Sequence, residues 1–392
     1  MLTRRIGITW QLTDLHGWGI FGLNIAKELI LNGPVPPLIL SKPYISTSNS
    51  KQEKMFGPFF SEQASIMDQI KRSGKQATLN EVVMLHSLGN SFMHSPISDQ
   101  VLGHTNIGFV FFENPKMDNQ ALARAKRYDK IIAGSSWNRN LMIDMGLANA
   151  SFVSQGVDLE RFQPRPKAGM FEDKFVVFSG GKLELRKGQD IVLAAFKQFH
   201  ERHTDTILIT NWHNAWAQTA RNMSKSPHFS HEPKINADGT LNFKLWVSEA
   251  GIPDGAHIDV GAISNSCIPS IMNEANVAVF PNRCEGGTNL VAMEAMACGI
   301  PCILSANTGH LDIISEDNCY PLYQQKHSPP EIEMTGLWGE SDIDEIVAHL
   351  ESIYEDRKSA RRRGRAGVAF MRKLSWKIQT KHLVSAIQEY MN

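Results

Sequence analysis

A glycine-rich turn lies inside the stretch "VAVFPNRCEGGTNLVAMEAMACGIPCILS" (277–305). A buried strand is predicted before the turn, and a helix is predicted to begin after it, near Thr288 or Asn289, with Thr288 as a good N-cap. Gly286 and Gly287 would let the backbone approach a ligand closely. Free N–H groups and the positive end of the helix dipole attract anions. The turn is therefore predicted to bind a diphosphate.

Two glutamates bracket this turn. Glu294 lies one to two turns into the predicted helix, too deep to face a phosphate, where it could accept hydrogen bonds from a vicinal diol such as a ribose. Glu285 stands before the helix, near the point where a group attached to the diphosphate would extend. A buried amphipathic helix with a capped start is the structural alternative. That alternative explains Leu290 and Met293 but does not explain the two acids.

Basic residues follow a predicted core strand at 175–181 in the stretch "SGGKLELRKGQDIVLAAF". Lys182 and Lys187 could clamp a diphosphate from the side opposite the glycine turn, and Arg186 is a nearby alternative. Lysine offers a point charge that suits a phosphate without fixing its orientation. The alternative is a set of solvated surface charges ahead of a helix. The turn after a core strand favours the phosphate site.

The stretch "HGWGIFGLNIAKELI" near the N-terminus contains a third glycine pattern, in which Gly17, Gly19 and Gly22 spell G-x-G-x-x-G. This pattern matches the dinucleotide fingerprint, which requires a strand, a tight turn and a helix. A strand at 6–10 and a helix ended by Gly33 are predicted. No acidic residue ends the next strand, so NADP remains an open alternative at this point.

Bulk properties narrow the class of protein. The chain has 392 residues with 40 basic and 40 acidic side chains. It therefore has no excess of positive charge that would attract nucleic acid. Its five cysteines form no C-x-x-C pair, which is typical of free thiols in a reducing compartment. Neither a signal peptide nor an apolar run of roughly 18 residues is recognisable. We expect a cytoplasmic protein, or one peripheral to the inner face of a membrane.

Strand and helix patterns alternate along the chain, which predicts two doubly wound α/β domains in series with a cleft between them. The predicted domains are 1–165 and 166–372, and a terminal helix at 373–392 is predicted to return to the N-terminal domain. The segment 212–246 has weak periodicity and is predicted to be an elaborated surface loop or a short helix. Predicted strands lie near 6–10, 37–41, 82–86, 107–112, 130–133, 151–154, 175–181, 206–210, 257–260, 277–280 and 301–304. Predicted helices lie near 20–32, 60–73, 117–127, 136–145, 189–202, 268–274, 288–298 and 341–354.

The stretch 277–305 resembles the signature of retaining GT-B glycosyltransferases, specifically glycosyltransferase family 4 (glycosyl transferases group 1). Members carry two glutamates around a glycine-rich turn, followed by a segment like "EAMACGIP". The basic segment resembles the family's G-R-L-x-x-x-K-G motif, with Lys182 where arginine is usual. Further similar segments lie at 128–146, 155–162, 305–314 and 374–387. The resemblance covers most of the chain.

The resemblance implies transfer of a sugar from a nucleoside diphosphate sugar to an acceptor hydroxyl, with retention at the anomeric carbon. Glu294 would hold the ribose and Glu285 the sugar hydroxyls. Lys182, Lys187 and the amides of 286–289 would neutralise the leaving diphosphate, so no metal or other cofactor is expected. In this family the N-terminal glycine loop closes over the donor's phosphates, and Gly17 and Gly19 would serve that approach without any nicotinamide.

The chain departs from the family pattern in two places. Eight residues separate Glu285 from Glu294, where the family usually has seven. A His-Asp pair often follows an N-domain strand in the family, whereas this chain has Glu113 at that point. Glu113 could orient the acceptor hydroxyl or the sugar, or it could cap a helix. His16 and His86 are further candidates for ligand contact.

The acceptor is expected to be a glycan or a lipid-linked molecule, as in polysaccharide biosynthesis. Between Arg357 and Lys381 the chain has ten basic residues and no acidic one. This segment is either a solvated helix face or a contact with an anionic lipid surface. Two alternative functions stay open: a non-catalytic GT-B-like binding protein, and an NADP-dependent oxidoreductase that uses the glycine fingerprint.

Overall fold

The structure is a computed structural model of the chain. It describes residues 4–45, 50–212, 214, 217–229, 231–261, 263–328 and 337–392. The chain divides into two compact units. The N-terminal unit consists of Met1–Asp158, Ser264–Ser266 and Leu374–Asn392, and the C-terminal unit consists of Leu159–Ile263 and Cys267–Lys373. The first division therefore precedes the predicted boundary at residue 165.

Parallel sheets form the centre of both units. The N-terminal sheet has the order β2-β1-β3-β4-β5-β6, and its neighbouring strands are all parallel. Its strands are β1 (Arg5–Ile8), β2 (Leu38–Ile39), β3 (Ala77–Leu88), β4 (Val101–Val110), β5 (Lys130–Ala133) and β6 (Ala150–Phe152). Because the carboxyl ends of parallel strands meet at one edge of a sheet, the loops after β1, β3 and β4 are neighbours.

The C-terminal sheet has the order β12-β11-β10-β7-β8-β9, again with parallel neighbours. Its strands are β7 (Phe175–Gly180), β8 (Thr206–Asn211), β9 (His257–Asp259), β10 (Val277–Phe280), β11 (Cys302–Ser305) and β12 (Tyr320–Leu322). A small antiparallel pair consists of β13 (Gln325–His327) and β14 (Gly339–Ser341). Strands β7, β10 and β11 are buried throughout, which explains their continuous apolar sequences.

Helices connect the strands of both sheets. The α-helices are α1 (Gly17–Asn32), α2 (Ser50–Ser73), α3 (Asn119–Ala125), α4 (Ser136–Asp144), α5 (Gln189–Arg202), α6 (Phe243–Glu249), α7 (Ile268–Met272), α8 (Leu290–Ala297), α9 (Ile343–Glu355), α10 (Arg357–Met371) and α11 (Trp376–Ala386). Short 3-10 helices cover Asn90–Phe92, Leu185–Lys187, Ala217–Lys225, Thr308–Asp312, Arg372–Leu374 and Gln388–Tyr390. The predicted α/β class with doubly wound sheets is confirmed.

The segment 212–246 contains a 3-10 helix at Ala217–Lys225 and most of α6, in agreement with the short-helix prediction, but it does not lie wholly on the surface. Trp212 and Trp246 are both fully buried, and their ring centroids lie 6.0 Å apart. Trp212 Nε1 donates a hydrogen bond to Ser179 Oγ over 3.2 Å, which ties the segment to β7. The surface part of the prediction was wrong, because the tryptophans pack through tertiary contacts that leave no clear periodicity in the sequence. His213 and Trp216 lie outside the described residues.

The end of the chain differs from its prediction in its packing. Helix α9 is followed by α10, in the segment considered as a solvated helix face or a lipid contact, and by α11, within the predicted terminal helix. Helix α10 has a buried face that includes Gly364 and Gly367. A Cβ atom placed on Gly364 would lie 2.1 Å from Gly299 O, so glycine permits close packing of α10 on the end of α8. Its many arginines concealed this packing from sequence reasoning.

No helix among the described residues has the length and apolar character needed to cross a bilayer.

Candidate active site

The predicted phosphate turn lies between β10 and α8 in the C-terminal unit. Helix α8 begins at Leu290, and its N-cap is Asn289, whose φ is 61° and whose side chain accepts a hydrogen bond from Ala292 N. The prediction that Thr288 caps the helix is therefore wrong, because the left-handed turn comes one residue later. Thr288 is instead fully buried, with its Oγ1 at 3.1 Å from Met293 Sδ.

Gly286 and Gly287 lie in this turn as predicted, and both are buried. The 3-10 helix that begins at Thr308 packs directly against them. Gly309 N donates a hydrogen bond to Glu285 O over 3.0 Å. A Cβ atom placed on Gly309 would lie 1.7 Å from Gly287 O, so glycine is required there. The turn is thus held from behind by a segment distant in sequence.

His310 orients the cap residue of α8. Its ring is fully buried, with Nε2 at 3.1 Å from Asn289 Nδ2 and Nδ1 at 3.0 Å from Ser305 Oγ. Burial lowers the pKa of His310 to about 4, although the Glu285 carboxylate acts in the opposite direction. The ring is therefore neutral near pH 7, and its Nε2 can accept from the Asn289 amide. Sequence reasoning quoted this segment but assigned no role to His310.

Glu285 is buried among basic side chains. Its Oε1 accepts hydrogen bonds from Lys187 Nζ and Asn282 Nδ2, and its Oε2 lies 3.3 Å from Arg186 Nη1. Its backbone N donates to Thr308 Oγ1 over 2.9 Å. The structure therefore brings the predicted glutamate and the predicted Lys187 into direct contact, together with the alternative cation Arg186.

These contacts decide the charge of Glu285. Burial would raise the pKa of its carboxyl group, but the adjacent charges of Lys187 and Arg186 outweigh burial and lower the pKa to about 2. Glu285 is consequently a carboxylate at neutral pH and can only accept hydrogen bonds. It cannot act there as a proton donor to a leaving group.

A second carboxylate, Glu184, joins the remaining cations. Its Oε1 lies 2.5 Å from Lys182 Nζ and its Oε2 lies 3.0 Å from Arg186 Nε. Burial raises the pKa of Glu184, but Arg186 and Lys182 outweigh this effect and leave the pKa lowered. Lys182, Glu184, Arg186, Glu285 and Lys187 thus form an alternating chain of charges, which we call the charge chain.

Arg283 anchors the loop that carries Glu285. Its guanidinium is fully buried and forms paired hydrogen bonds of 2.8 and 2.7 Å with the two oxygens of Asp190. It also binds both oxygens of Glu340 at 2.6 and 2.8 Å. His228 Nε2 lies 2.9 Å from Glu340 Oε1. Sequence reasoning missed this network because its partners are far apart along the chain.

The same loop is joined to the basic segment through the main chain. Arg283 N and Cys284 N both donate to Arg186 O, over 2.7 and 3.2 Å. Arg283 Nη1 donates to Leu185 O over 2.6 Å. The turn with Arg186 and Lys187 and the loop with Glu285 therefore form one rigid platform within the C-terminal unit.

Glu294 lies in the second turn of α8 and is 6% exposed. Its backbone O accepts from Cys298 N within the helix. Glu294 therefore lies in the helix that follows the predicted phosphate turn. This is the position predicted for a residue that binds a ribose. Its role in binding remains a prediction.

Glu113 lies after β4 in the N-terminal unit, beside the loop that follows β3. Asn90 Oδ1 accepts hydrogen bonds from Glu113 N and Asn114 N over 3.0 and 3.2 Å. Helix α3 is capped by Asp118, whose Oδ1 accepts from Ala121 N over 2.7 Å. The alternative in which Glu113 caps this helix is therefore wrong, because Asp118 does so.

The Asn90 loop has an unusual backbone. Ser91 and Phe92 have φ values of 56° and 54°, a conformation that side chains with a Cβ rarely adopt. Arg124 Nε donates to Ser91 O over 2.9 Å and holds the loop in place. The loop 87–106 was considered for the acceptor site, but no sequence pattern predicted this backbone, whose strain is of the kind found at functional sites.

The glycine fingerprint of the N-terminal unit does not form a turn before the helix. Gly17 and Gly19 lie in the first turn of α1, and His16 is its N-cap, with Nδ1 accepting from Gly19 N over 3.2 Å. A Cβ atom on Gly19 would lie 2.1 Å from Thr13 Cγ2, whereas nothing lies within 4 Å of one on Gly17. Gly19 thus serves internal packing, and only Gly17 leaves open space.

His86 is buried within β3. Its Nδ1 lies 2.8 Å from Ser98 Oγ, and its Nε2 lies 2.9 Å from Asn106 Oδ1. Burial lowers the pKa of His86 to about 4. Both ring nitrogens are therefore used inside the sheet, where sequence reasoning considered a ligand contact. In the described part of the chain, no three His, Cys, Asp or Glu side chains are grouped as for a metal ion.

A family sequence model described as "Glycosyl transferases group 1" matches residues 160–369, which carry the charge chain, the glycine turn and both glutamates. The chain belongs to this family. The resemblance inferred from residues 277–305 and from the basic segment is thereby confirmed.

Curated relatives are similar over part of their length. The GDP-mannose-dependent alpha-(1-6)-phosphatidylinositol dimannoside mannosyltransferase of Mycobacterium tuberculosis (strain ATCC 25177 / H37Ra) is 24% identical over 50% of this chain and 45% of its own. The GDP-mannose-dependent monoacylated alpha-(1-6)-phosphatidylinositol monomannoside mannosyltransferase of Corynebacterium glutamicum is 23% identical over 60% of this chain and 55% of its own. The chain spans about half the length of the curated relatives it matches.

Solved structures match nearly the whole chain. Sucrose-phosphate synthase from Thermosynechococcus elongatus has a TM-score of 0.65 and 18% identity, and the match covers 99% of both chains. HepE of Anabaena in complex with UDP-glucose has a TM-score of 0.66 and 12% identity, with 98% of this chain and 99% of the other covered. These likenesses show the fold, which is the predicted GT-B fold with two Rossmann-like domains.

Proposed function

We propose that this protein transfers a sugar from a nucleoside diphosphate sugar to an acceptor hydroxyl, with retention at the anomeric carbon. The observation that carries the proposal is the charge chain beside the glycine turn and the N-terminus of α8. Three cations, Lys182, Arg186 and Lys187, lie within one short segment and contact Glu184 and Glu285. Such a cluster suits the charge that develops on a leaving diphosphate.

The donor would bind mostly to the C-terminal unit. Backbone N–H groups of the 286–289 turn and the dipole of α8 would face the diphosphate, and Glu294 would accept from the ribose. Lys182 and Lys187 would neutralise the leaving group, so we propose that no metal is needed. Glu285 would accept hydrogen bonds from the sugar, since its low pKa leaves it a carboxylate.

Glu113 would act on the acceptor side. Its main chain is held by Asn90, and it follows β4 at the carboxyl edge of the N-terminal sheet. A carboxylate at this edge can orient or deprotonate a hydroxyl group. We assign to Glu113 the acceptor hydroxyl, and to Gly17 an approach to the donor's phosphates.

The acceptor would be a glycan or a lipid-linked molecule. The relatives from Mycobacterium and Corynebacterium are named for phosphatidylinositol mannoside substrates. On α10, Lys358, Arg361, Arg362 and Arg365 are exposed and follow the i, i+3, i+4, i+7 spacing of one helix face. This face could lie on an anionic lipid surface at the inner side of a membrane, where polysaccharide precursors would be met.

Two basic residues of the segment 357–381, Arg357 and Arg363, pack on aromatic rings. Arg357 stacks over the Phe175 ring at 4.2 Å, and Arg363 stacks over the Tyr320 ring at 4.7 Å. These two arginines are therefore left out of the proposed lipid contact, which we assign to the exposed face of α10.

The first experiment is a thermal-shift panel with UDP, GDP, ADP and NADPH, followed by a transfer assay with the sugar donors of the nucleotide that binds. A ligand at 100 times its Kd adds roughly 2.7 kcal/mol of stability. We expect one nucleoside diphosphate to stabilise the wild type and the Glu201→Gln control, and to stabilise Glu294→Gln less. Stabilisation by NADPH alone would instead support the oxidoreductase alternative.

A non-catalytic GT-B-like binding protein is the second candidate. It is favoured by the eight-residue spacing between Glu285 and Glu294 and by the complete engagement of the Glu285 carboxylate by Lys187, Asn282 and Arg186. Nucleotide binding without turnover of any sugar donor, by transfer or by hydrolysis, would support this candidate over the enzyme.

A further inference from the structure

Glu184 is the one carboxylate of the charge chain to which the proposed mechanism gives no role. It is central in the basic segment, with a side chain only 13% exposed, and it bridges Lys182 at 2.5 Å and Arg186 at 3.0 Å. A carboxylate in this position repels a diphosphate and competes with it for the same cations. Its presence beside a phosphate site therefore needs an explanation.

A structural role in holding the turn does not explain the presence of Glu184, because other side chains hold this turn. Gln189 Nε2 donates to Lys182 O over 2.8 Å. Asn214 Oδ1 accepts from Leu183 N over 2.7 Å, and Asn222 Oδ1 accepts from Leu185 N over 3.1 Å. Amide side chains thus fix the main chain on both sides of Glu184, and its carboxylate contacts cations rather than the backbone.

We propose that Glu184 is an internal competitor of the diphosphate, which neutralises Lys182 and Arg186 in the empty site and limits how tightly the site holds the nucleoside diphosphate product. This inference rests on the proposed function. When the diphosphate enters, Lys182 and Arg186 exchange the carboxylate for phosphate oxygens. When the sugar has been transferred, Glu184 reclaims both cations and favours release of the product, a step that limits the rate of many enzymes.

The balance of charges supports this exchange. The charge chain holds three cations and two carboxylates, so these five side chains together carry a net charge of +1. Glu285 lies against the glycine turn and has further partners in Asn282 and Thr308. Glu184, in contrast, contacts Lys182 and Arg186 and does not lie against the glycine turn. Its charge can therefore change without disturbing that turn.

The test compares Glu184→Gln with the wild type in calorimetric titrations with inorganic pyrophosphate and with UDP, GDP and ADP. We expect Glu184→Gln to bind pyrophosphate and the recognised nucleoside diphosphate more tightly, by on the order of tenfold, because one repulsive charge is removed from a partly screened site. Glu184→Asp retains the charge and should bind within about twofold of the wild type. Glu201→Gln, an exposed change in the same unit, controls for net charge.

Equal or weaker binding by Glu184→Gln, with normal binding by the wild type, would overturn the competitor role and leave the donor site intact. Absence of binding of every nucleotide and of pyrophosphate to wild type and variant alike would overturn the proposed function itself. If Glu184→Gln does not fold, Glu184→Ala decides the question, since it also removes the carboxylate and should tighten pyrophosphate binding, whereas equal or weaker binding would overturn the competitor role. Slower steady-state turnover with faster single-turnover chemistry in Glu184→Gln would add support.

Discussion

The two units of this molecule share an α/β plan and differ in where they hold charge. The C-terminal unit carries the partly buried charge chain and the fully buried Arg283 in the loops that follow β7 and β10. In the N-terminal unit, hydrogen bonds hold the loops after β1 and β3, where Asn90 holds the main chain of Glu113 and His16 caps α1. The comparison is thus between loops held by ion pairs and loops held by hydrogen bonds.

This difference shows how each unit can change in evolution or by design. A buried charge needs its partner, since removal of one member leaves the other unpaired in a low dielectric. The C-terminal site must therefore keep its ionic residues together, as suits the diphosphate that we propose it binds. The N-terminal loops carry few such constraints and can vary with the acceptor.

The largest expected effect comes from Arg283→Met, which would leave the Asp190 and Glu340 carboxylates without their main partner. We expect a loss of about 3–5 kcal/mol in the free energy of unfolding of the C-terminal unit. Urea unfolding monitored by tryptophan fluorescence would measure it. Arg202→Met, which removes an exposed ion pair with Glu351, should cost at most about 1 kcal/mol. Similar losses for both variants would contradict the importance given to the buried network.

Glu113→Gln tests whether the N-terminal unit acts on the acceptor rather than on the nucleotide. We expect the transfer rate to fall by about 100-fold, within the range for a general base or an orienting carboxylate. The Kd of the nucleoside diphosphate, measured by calorimetry, should be unchanged. Asn90→Ala should lower the transfer rate less, because it removes the support of Glu113 and leaves the carboxylate. Weaker nucleotide binding by Glu113→Gln would place this residue on the donor side instead.

Acid should weaken the C-terminal unit through His310. Its pKa of about 4 lies below the value of an unfolded histidine, so the neutral ring stabilises the fold above pH 6.5, and this stability is lost as the pH falls towards 4. Between pH 7 and 5 the loss from this ring is about 2 kcal/mol. His310→Asn should flatten this part of the curve in urea unfolding series. An unchanged slope would show that His310 is not the responsible group.

Glu294→Gln separates the ribose from the diphosphate. We expect its Kd for the recognised nucleoside diphosphate to rise by about tenfold, the effect of weakening a charged hydrogen-bond acceptor. Its Kd for inorganic pyrophosphate should be unchanged, because the charge chain and the glycine turn are intact. Equal losses for both ligands would mean that the substitution disturbs α8 rather than a ribose contact.

The smallest effect per residue is expected on the exposed face of α10. Arg361→Gln and Arg365→Gln should each weaken binding to vesicles of phosphatidylglycerol and phosphatidylcholine by about 1 kcal/mol, since each basic side chain near an anionic surface contributes that much. Vesicle sedimentation at low and high salt would measure it, with Lys244→Gln as an exposed control. Binding that is independent of these arginines would show that α10 is only a solvated face.

Local sequence determined the scaffold of the C-terminal site. The predicted helix 189–202 is confirmed residue for residue as α5, and the predicted strand at 277–280 is β10. The sequence predicts whether Lys187, Glu285 and Glu294 lie on a loop or a helix, because each is within a few residues of a predicted strand or a glycine turn. Apolar runs and glycine turns act over such short distances, so one stretch of sequence carries the whole signal.

Tertiary structure decided which groups face one another. The hydrogen bonds of the Arg283 network join residues up to 112 positions apart, and Asn90 contacts Glu113 across 23 positions. The cap of α8 depends on His310, and Gly19 is required by Thr13 rather than by a ligand. No local pattern encodes such pairs, because burial and packing create them only when distant segments meet. The sequence alone thus determined the family and the elements of the site, while the partners that set its charges came from the fold.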